Sequence, residues 1–257
     1  MSFTLVTGSA SGIGAATLLA LKSQGRKVLG ADISQADICV DLSTAHGRES
    51  LVQQTRDLCV GRLDGLVLCA GLGPNAQPAI KITAVNYFGT VAILDGLLPL
   101  LQSGVNAAAV VVSSIASVQM PWHRNPLAAA LKSGNESEVE RLLDMTAQKA
   151  SMVAYCASKN ALTVAVRQRA LAWGQAGVRL NTVAPGSVDT PMQQATLTDP
   201  ELTESIHKNV APLGRIAKAE EIADLIAFLL SARSSYVHGA QWMIDGGKDA
   251  MIRSTQF

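Results

Sequence analysis

A tyrosine and a lysine four residues apart, Tyr155 and Lys159, form the pair with the clearest chemical potential in this chain. On a helix this spacing puts both side chains on one face, so the ammonium approaches the phenol from one side and a substrate oxygen from the other. At about 5.5 Å and an effective dielectric of about 20, their attraction is about 3 kcal/mol. That predicts a tyrosine pKa lowered from about 10 to about 8, suited to general base catalysis. The same spacing also occurs by chance on ordinary helix faces.

A glycine-rich segment, residues 7–14 (TGSASGIG), follows the first apolar run of the chain. Gly8 can supply a tight turn, Gly12 lets the backbone approach a pyrophosphate, and Gly14 allows close packing of a helix on a strand. A plain turn is the alternative, but Asp32 ends the second predicted strand and completes a dinucleotide-binding context. The residues predicted to bind cofactor here are Gly8, Ser11, Gly12, Ile13, Gly14 and Asp32.

Two later segments are also candidates for the cofactor site. Asp41 and Leu42 follow the third predicted strand, where they could lie near an adenine, although an N-cap for the following helix is an equal alternative for this segment. Cys69, Ala70 and Gly71 end the fourth strand, where small residues let a cofactor pass close to the backbone.

Short apolar runs alternate with longer stretches of helical periodicity along the whole chain. Most runs are apolar at successive positions, as strands covered on both faces require. This predicts an α/β fold: a doubly wound, Rossmann-type parallel sheet of about seven strands with helices on both faces, in one domain, residues 1–257. The predicted strands are 3–7, 27–32, 38–40, 65–70, 107–113, 179–184 and 241–244, and the predicted helices are 12–24, 45–60, 80–101, 151–176 and 218–231.

Two stretches are longer than ordinary connections. Residues 118–150 are predicted to be an insertion with helical segments at 127–132 and 136–148. Residues 187–213 follow the sixth strand, at the edge of the sheet where lids and substrate loops are found. Their apolar side chains, which could contact a substrate or simply pack, are Val188, Met192, Ile206 and Val210.

Composition excludes several classes of function. The 21 basic and 20 acidic residues nearly cancel, which leaves no basic surface for nucleic acid and no polybasic patch for a membrane. No apolar stretch approaches the length of a membrane span, and the chain starts in a strand pattern without a signal segment. The four cysteines lack the spacing of disulfide frameworks or metal sites. We expect a cytoplasmic protein without metal, nucleic-acid or membrane partners.

Along essentially its whole length the chain resembles the short-chain dehydrogenase/reductase family. The residues that carry the resemblance are 7–14, Asp32, Cys69, Ala70, Gly71, Asn86, Ser114, Tyr155, Lys159, Pro185, Gly186 and Thr190. It implies that Tyr155 is the general acid/base, that Lys159 tunes it and binds the nicotinamide ribose, and that Ser114 positions the substrate oxygen. By the same resemblance Asn86 holds a water linking Lys159 to solvent. The residues it assigns to the nicotinamide carboxamide are Pro185, Gly186 and Thr190, and Val188 is predicted in the same cofactor site.

Simpler interpretations exist for two of these residues, and the chain departs from the family pattern twice. Ser114 could be a strand-end cap, and Asn86 could satisfy local backbone. Cys69 stands where the family commonly has asparagine, so the hydrogen bonds of that side chain are lost or replaced. Ser114 lies 41 residues before Tyr155, where about a dozen is usual, and the insertion accounts for the excess; Ser113 or Ser117 could in principle replace Ser114.

Further segments resemble bacterial members of the family that act on steroids. They are residues 64–74, 85–89, 125–127, 235–241 and 255–257. This resemblance implies NAD(H)-dependent, reversible oxidation of a steroid 3α-hydroxyl to the 3-ketone, with reduction of other ketones and aldehydes. The residues by themselves indicate only a secondary alcohol or ketone.

Two alternatives to a steroid enzyme remain at this point. One is another family member, such as a 3-oxoacyl reductase or a general secondary-alcohol dehydrogenase. The other is a non-catalytic NAD(H)-binding sensor. We also expect a homodimer, because the insertion precedes the Tyr155 helix, a surface that the family often uses for subunit contact.

Asp32 should make the protein prefer NAD(H) to NADP(H). Its carboxylate can accept hydrogen bonds from a ribose diol, but a 2′-phosphate about 4 Å away would be repelled by about 4 kcal/mol per charge at an effective dielectric of about 20. Asp32→Ala should therefore lower the ratio of kcat/KM for NAD to kcat/KM for NADP. An unchanged ratio would contradict this role.

Overall fold

A seven-stranded parallel sheet forms the centre of the computed structural model, which describes residues 3–196 and 210–256. In chain order the strands are β1 (Phe3–Thr7), β2 (Lys27–Asp32), β3 (Ile38–Cys39), β4 (Gly65–Leu68), β5 (Ala108–Val112), β6 (Arg179–Pro185), β7 (Val188–Asp189), β8 (Ala217–Lys218) and β9 (Gln241–Ile244). The sheet order is β3-β2-β1-β4-β5-β6-β9, and β7 and β8 form a separate parallel pair. The predicted seven-stranded parallel sheet is confirmed.

The described helices occur between the strands and after the last one. They are α1 (Gly12–Ser23), α2 (Ala45–Leu58), α3 (Ala79–Thr83), α4 (Thr90–Gln102), α5 (Ala128–Ser133), α6 (Glu136–Asp144), α7 (Ala150–Gln175), α8 (Pro191–Thr196), α9 (Ala219–Leu229) and α10 (Lys248–Ile252), with a π-helix at Ala84–Gly89 and 3₁₀ turns at Ile115–Val118, Trp122–Arg124, Ala147–Lys149 and Ala232–Ser234. Gly25 and Gly177, just past α1 and α7, have positive φ angles of 77° and 75°, as residues that follow a helix C-cap often do.

Strand β5 shows why the central strands are apolar at every position. Ala109 and Val111 belong to a core shared with α4 and α7, whereas Val110 and Val112 belong to a core shared with α1 and α9. Successive side chains of a strand point to opposite faces, so an unbroken apolar run buries a side chain on each side. The helices therefore cover both faces, as predicted.

The single helix predicted at 80–101 is divided by the π-helix at Ala84–Gly89. Polar contacts hold this irregular turn: the Asn86 side chain exchanges two hydrogen bonds with the backbone of Leu72, and Arg48 donates to the carbonyl of Ala84. Hydrophobic periodicity carries no signal for such contacts, because the partners are distant in sequence.

The segment Ala79–Gln102 also corrects the expectation that no apolar stretch approaches a membrane span. By length and by its hydropathy of 1.5 it could cross a membrane. However, 61% of its apolar window is buried inside the fold, where Ile93, Leu94 and Leu97 of α4 join the core. A core helix of a globular protein has the same composition, so the segment is accounted for by packing.

The insertion, residues 118–150, folds into α5 and α6 and packs against α7. Its buried apolar side chains are Leu127, Ala130, Leu131, Val139 and Leu143. Asn125 fixes its first part: its amide donates to the carbonyl of Ala157 and to Oδ1 of Asn160, both at 3.0 Å, and accepts from Leu127 N at 2.9 Å. Helix α6 ends at Asp144, four residues earlier than predicted.

Asn125→Ala should destabilise the protein, because it leaves buried polar groups on α7 without their partner. We expect a loss of about 1–3 kcal/mol in the free energy of unfolding, measured by chemical denaturation. Gln148→Ala is the matched control, because Gln148 is an exposed residue of the same insertion and its loss should change stability by less than about 0.5 kcal/mol. Equal stability of the two variants would contradict this role of Asn125.

Candidate active site

A cavity of about 560 Å³ opens at the carboxyl ends of the parallel strands. This is the edge where ligands bind in doubly wound sheets. The predicted site residues that line it are Gly8, Ser11, Gly12, Ile13, Gly14, Asp32, Asp41, Leu42, Cys69, Ala70, Gly71, Ser114, Tyr155, Lys159, Pro185, Gly186, Val188 and Thr190. Asn86 was also predicted in the site but does not line this cavity.

The glycine loop needs glycine at both of its ends. Gly8 has a φ of 68°, and a Cβ there would lie 2.7 Å from the backbone nitrogen of Ala70. A Cβ on Gly14 would collide with the carbonyl oxygen of Gly8, so the start of α1 packs directly on the loop. Ser11 is the N-cap of α1 but makes no side-chain capping bond. The loop therefore presents a helix N-terminus to the cavity, an arrangement that suits a pyrophosphate.

Asp32 holds the glycine loop and still has acceptor capacity to spare. Its Oδ2 accepts a hydrogen bond from Ala10 N at 2.9 Å, and its Oδ1 accepts one from Ile33 N at 2.7 Å. An ionised carboxylate has about four lone-pair positions, so each oxygen can accept a further bond from a ribose hydroxyl. Among the described residues, the basic ones that line the cavity are Lys159 and Lys248, and neither is close to Asp32 in the sequence.

The turn after β3 settles the two interpretations of Asp41. The N-cap of α2 is Thr44, whose hydroxyl accepts from Gly47 N at 3.0 Å. The carboxylate of Asp41 instead accepts from Ser43 N at 2.8 Å, and hydrogen bonds from Ser43 hold the pKa of Asp41 below its usual range. The capping interpretation of Asp41 is wrong, and the residue lines the cavity.

Of the three candidate serines, Ser114 is the one whose hydrogen bonding acts on Tyr155, where it lowers the pKa of the phenol. Its hydroxyl also caps the next 3₁₀ turn by accepting from Ala116 N, so Ser114 is both a cap and a residue of the cavity wall. The hydroxyl of Ser113 points into the core, 2.8 Å from that of Thr163. The hydroxyl of Ser117 accepts from the side chain of Gln241 at 2.7 Å.

Burial shifts the two ionisable groups of the central pair in opposite directions. It lowers the pKa of Lys159 to about 8, because the ammonium loses its hydration and is left with a 3.0 Å hydrogen bond to the carbonyl of Val112. Burial raises the pKa of Tyr155, and the hydrogen bond from Ser114 opposes part of that rise. The predicted lowering of the Tyr155 pKa by Lys159 is therefore wrong for the free protein, since desolvation of the phenolate dominates.

Asn86 is fully buried beside this pair. Its Oδ1 accepts from Leu72 N at 2.7 Å, and its Nδ2 donates to Leu72 O at 3.0 Å. The side chain thus satisfies the backbone of Leu72, 14 residues away, and not the local backbone of the simpler interpretation. Its water-holding role stays a prediction. Cys69 stands where the family commonly has asparagine, and burial raises the pKa of its thiol to about 12. Next to it, the hydroxyl of Thr7 accepts a hydrogen bond from Ala70 N.

Much of the cavity wall beyond the tyrosine was not predicted from the sequence: Pro74, Ile115, Gln119, Met152, Cys156 and Thr196. Met192, one of the predicted apolar contacts, does line the cavity. Met152 had a usable signal, because it lies three residues before Tyr155 and so near it on the same helix face. Ile206, one of the predicted apolar contacts, lies outside the described residues, and Val210 is exposed.

Comparison with known proteins defines the class. Residues 2–150 match the family model described as short chain dehydrogenase, and residues 143–249 match the one described as Enoyl-(Acyl carrier protein) reductase. The chain belongs to the short-chain dehydrogenase family.

Within this family the similarity to two proteins extends over the full chain. The chain is 50% identical to the 3-alpha-hydroxysteroid dehydrogenase/carbonyl reductase of Comamonas testosteroni over 100% of both proteins. The crystal structure of the 3-alpha-hydroxysteroid dehydrogenase from Pseudomonas sp. B-0831, complexed with NADH, matches with a TM-score of 0.96 and 46% identity over 100% of both chains. A more distant relative, the sorbitol-6-phosphate 2-dehydrogenase of Klebsiella pneumoniae, is 33% identical and covers 95% of this chain and 94% of its own length.

Proposed function

We propose that this protein is an NAD(H)-dependent dehydrogenase that reversibly oxidises the 3α-hydroxyl of steroids to the 3-ketone and reduces other carbonyl compounds. The observation that carries the proposal is that Ser114, Tyr155 and Lys159 line the same cavity as the glycine loop. Two full-length relatives of the chain are named for this steroid activity.

The residues of the cavity fit a dinucleotide. Gly8 provides the tight turn and the close approach of the backbone. The N-terminus of α1 at Ser11 suits a pyrophosphate. The spare acceptors of Asp32 suit a ribose diol. When bound, NAD(H) supplies the hydride acceptor or donor of the reaction. At the other end, Pro185, Gly186 and Thr190 are proposed to hold the carboxamide.

Tyr155 is proposed to move the proton. In oxidation its phenolate accepts the proton of the substrate hydroxyl, and in reduction its phenol donates that proton to the carbonyl oxygen. The hydroxyl of Ser114, which lines the same cavity, is proposed to donate its one hydrogen bond to the same substrate oxygen. Lys159, whose pKa burial lowers to about 8, is proposed to bind the nicotinamide ribose.

The substrate end of the cavity supports an apolar alcohol or ketone. Ile115, Met152 and Met192 bring aliphatic and thioether groups to this end, and Gln119 adds an uncharged polar group. Thioether side chains adapt to irregular apolar shapes, which suits a fused ring system and also tolerates other carbonyl compounds. An acidic or phosphorylated substrate finds no arginine among the described lining residues.

We further propose that one domain, residues 1–257, carries both cofactor binding and catalysis, in a cytoplasmic homodimer. The sheet takes strands from both ends of the described chain, which supports one domain, and the four cysteines are free, which fits a reducing compartment. The apolar side chains of Met251 and Ile252 are about half exposed and could be covered by a second copy. A monomer in sedimentation equilibrium would contradict the dimer.

The proposed function predicts NAD-linked oxidation of 3α-hydroxysteroids in a panel that varies the configuration at C3 and the substituent at C17. The production of NADH is measured for each steroid. We expect turnover of the 3α-hydroxyl compounds, and no turnover of any of them would contradict the steroid assignment while leaving the family intact.

Two variants test the chemistry behind this turnover. Tyr155→Phe should still bind NADH but lose about two to four orders of magnitude in kcat, the usual contribution of a positioned acid/base. Tyr87→Phe is the matched control, because Tyr87 is buried in the core and lies outside the cavity. Near-normal turnover in Tyr155→Phe would contradict the mechanism.

A further inference from the structure

Arg48 of α2 is a buried arginine that the proposed chemistry does not use. Its guanidinium donates to three backbone carbonyls: Nε to Leu42 at 2.9 Å, and Nη2 to Ser43 at 3.1 Å and to Ala84 at 3.2 Å. Its Nη1 donates to Oε1 of Glu136 at 2.6 Å. One side chain therefore connects three parts of the chain that are distant in sequence.

Two of these parts form one wall of the dinucleotide cavity. Asp41 and Leu42 line it from the turn after β3, and Val85 lines it from the π-helix. The two segments are in close contact, since a Cβ on Gly89 of the π-helix would lie only 3.1 Å from the carbonyl oxygen of Leu42. Arg48, which bonds to both segments from behind, fixes the distance between them.

The third part is the insertion, through the first residue of α6. Glu136 is half-exposed, whereas Arg48 is buried, so the ion pair by itself adds little stability in water. The ion pair acts on orientation instead. While Nη1 of the planar guanidinium is bonded to the Glu136 carboxylate, Nε and Nη2 stay directed at the backbone carbonyls. The ring of Phe88, 5.8 Å from the guanidinium carbon, packs against the same group.

We propose that Arg48 is a positioning residue for the adenine end of the cofactor site, and that Glu136 of the insertion fixes the orientation of its guanidinium. This rests on the proposed function and on the sequence-based prediction that Asp41 and Leu42 lie near the adenine of NAD(H); Val85 lines the same cavity. Without the hydrogen bonds of the Arg48 guanidinium, the turn after β3 and the π-helix are no longer held together, so adenosine binding weakens. Ser114 and Tyr155 are unaffected, because Arg48 makes no contact with them.

The test compares Arg48→Lys and Glu136→Gln with the wild-type protein. Lysine keeps the charge but cannot form the fork, and glutamine keeps the shape of Glu136 but removes its charge. NADH affinity is measured by fluorescence titration, AMP affinity by displacement of NADH, and kcat at saturating NAD and steroid. We expect Arg48→Lys to weaken NADH and AMP about tenfold, as for the loss of one charge-assisted hydrogen bond. Glu136→Gln should weaken both ligands by a smaller factor, with kcat and steroid KM unchanged in both variants.

Glu138→Gln is the matched control for the insertion. It removes a 2.7 Å ion pair with Arg141 in the same helix, and Arg141 makes no bond to the cavity wall. Unchanged NADH and AMP affinities in both Arg48→Lys and Glu136→Gln would overturn the proposal, even if either variant melts at a lower temperature. If Arg48→Lys does not fold, the NADH and AMP affinities of Glu136→Gln test the proposal, because Glu136 is half-exposed and its replacement should not disturb the fold. Failure of the wild-type protein to bind NADH would contradict the proposed function instead.

Discussion

The candidate site depends on the seam between the end of β5 and the first half of α7, which brings Ser114 and Tyr155 into one cavity although 41 residues separate them. Two side chains of α7 close this seam. Lys159 donates to the last carbonyl of β5 at 3.0 Å, and Asn160 donates to the carbonyl of Ser117 at 2.8 Å. Because these bonds join the strand end to the helix directly, the long insertion can leave and return without moving the two hydroxyls apart.

The same burial that makes the seam rigid determines its electrostatics. Removing Tyr155 and Lys159 from water disfavours the phenolate and the ammonium alike, so the pKa of one rises and that of the other falls. At neutral pH the free protein therefore holds a neutral phenol beside an ammonium. A positive charge bound near the phenol lowers its pKa. On this account the base for oxidation becomes available when the oxidised cofactor is in place, which couples proton removal to cofactor binding.

Features with a local signal were predictable from the sequence. Most of the seven strands follow from runs of apolar residues. The roles of Gly8 and Gly14 follow from their place between a strand and a helix, and a Cβ at either position would collide with backbone atoms. Features set by distant partners were not. Capping by Thr44 rather than Asp41 depends on the path of one turn, and the contact of Arg48 with Glu136 joins residues 88 apart. The pKa of Tyr155 was predicted in the wrong direction because a pairwise charge estimate omits desolvation.

The action of the Ser114 hydroxyl on the Tyr155 phenol is the central claim, and the pH profile of kcat for alcohol oxidation tests it most directly. Activity should be lost as pH falls through the pKa of Tyr155, because the phenolate is the proposed base. Ser114→Ala removes the hydrogen bonding that lowers this pKa, so the acidic limb should move to higher pH. Ser113→Ala, whose hydroxyl faces Thr163 in the core, should leave the limb in place. The same acidic limb in both variants would contradict the account.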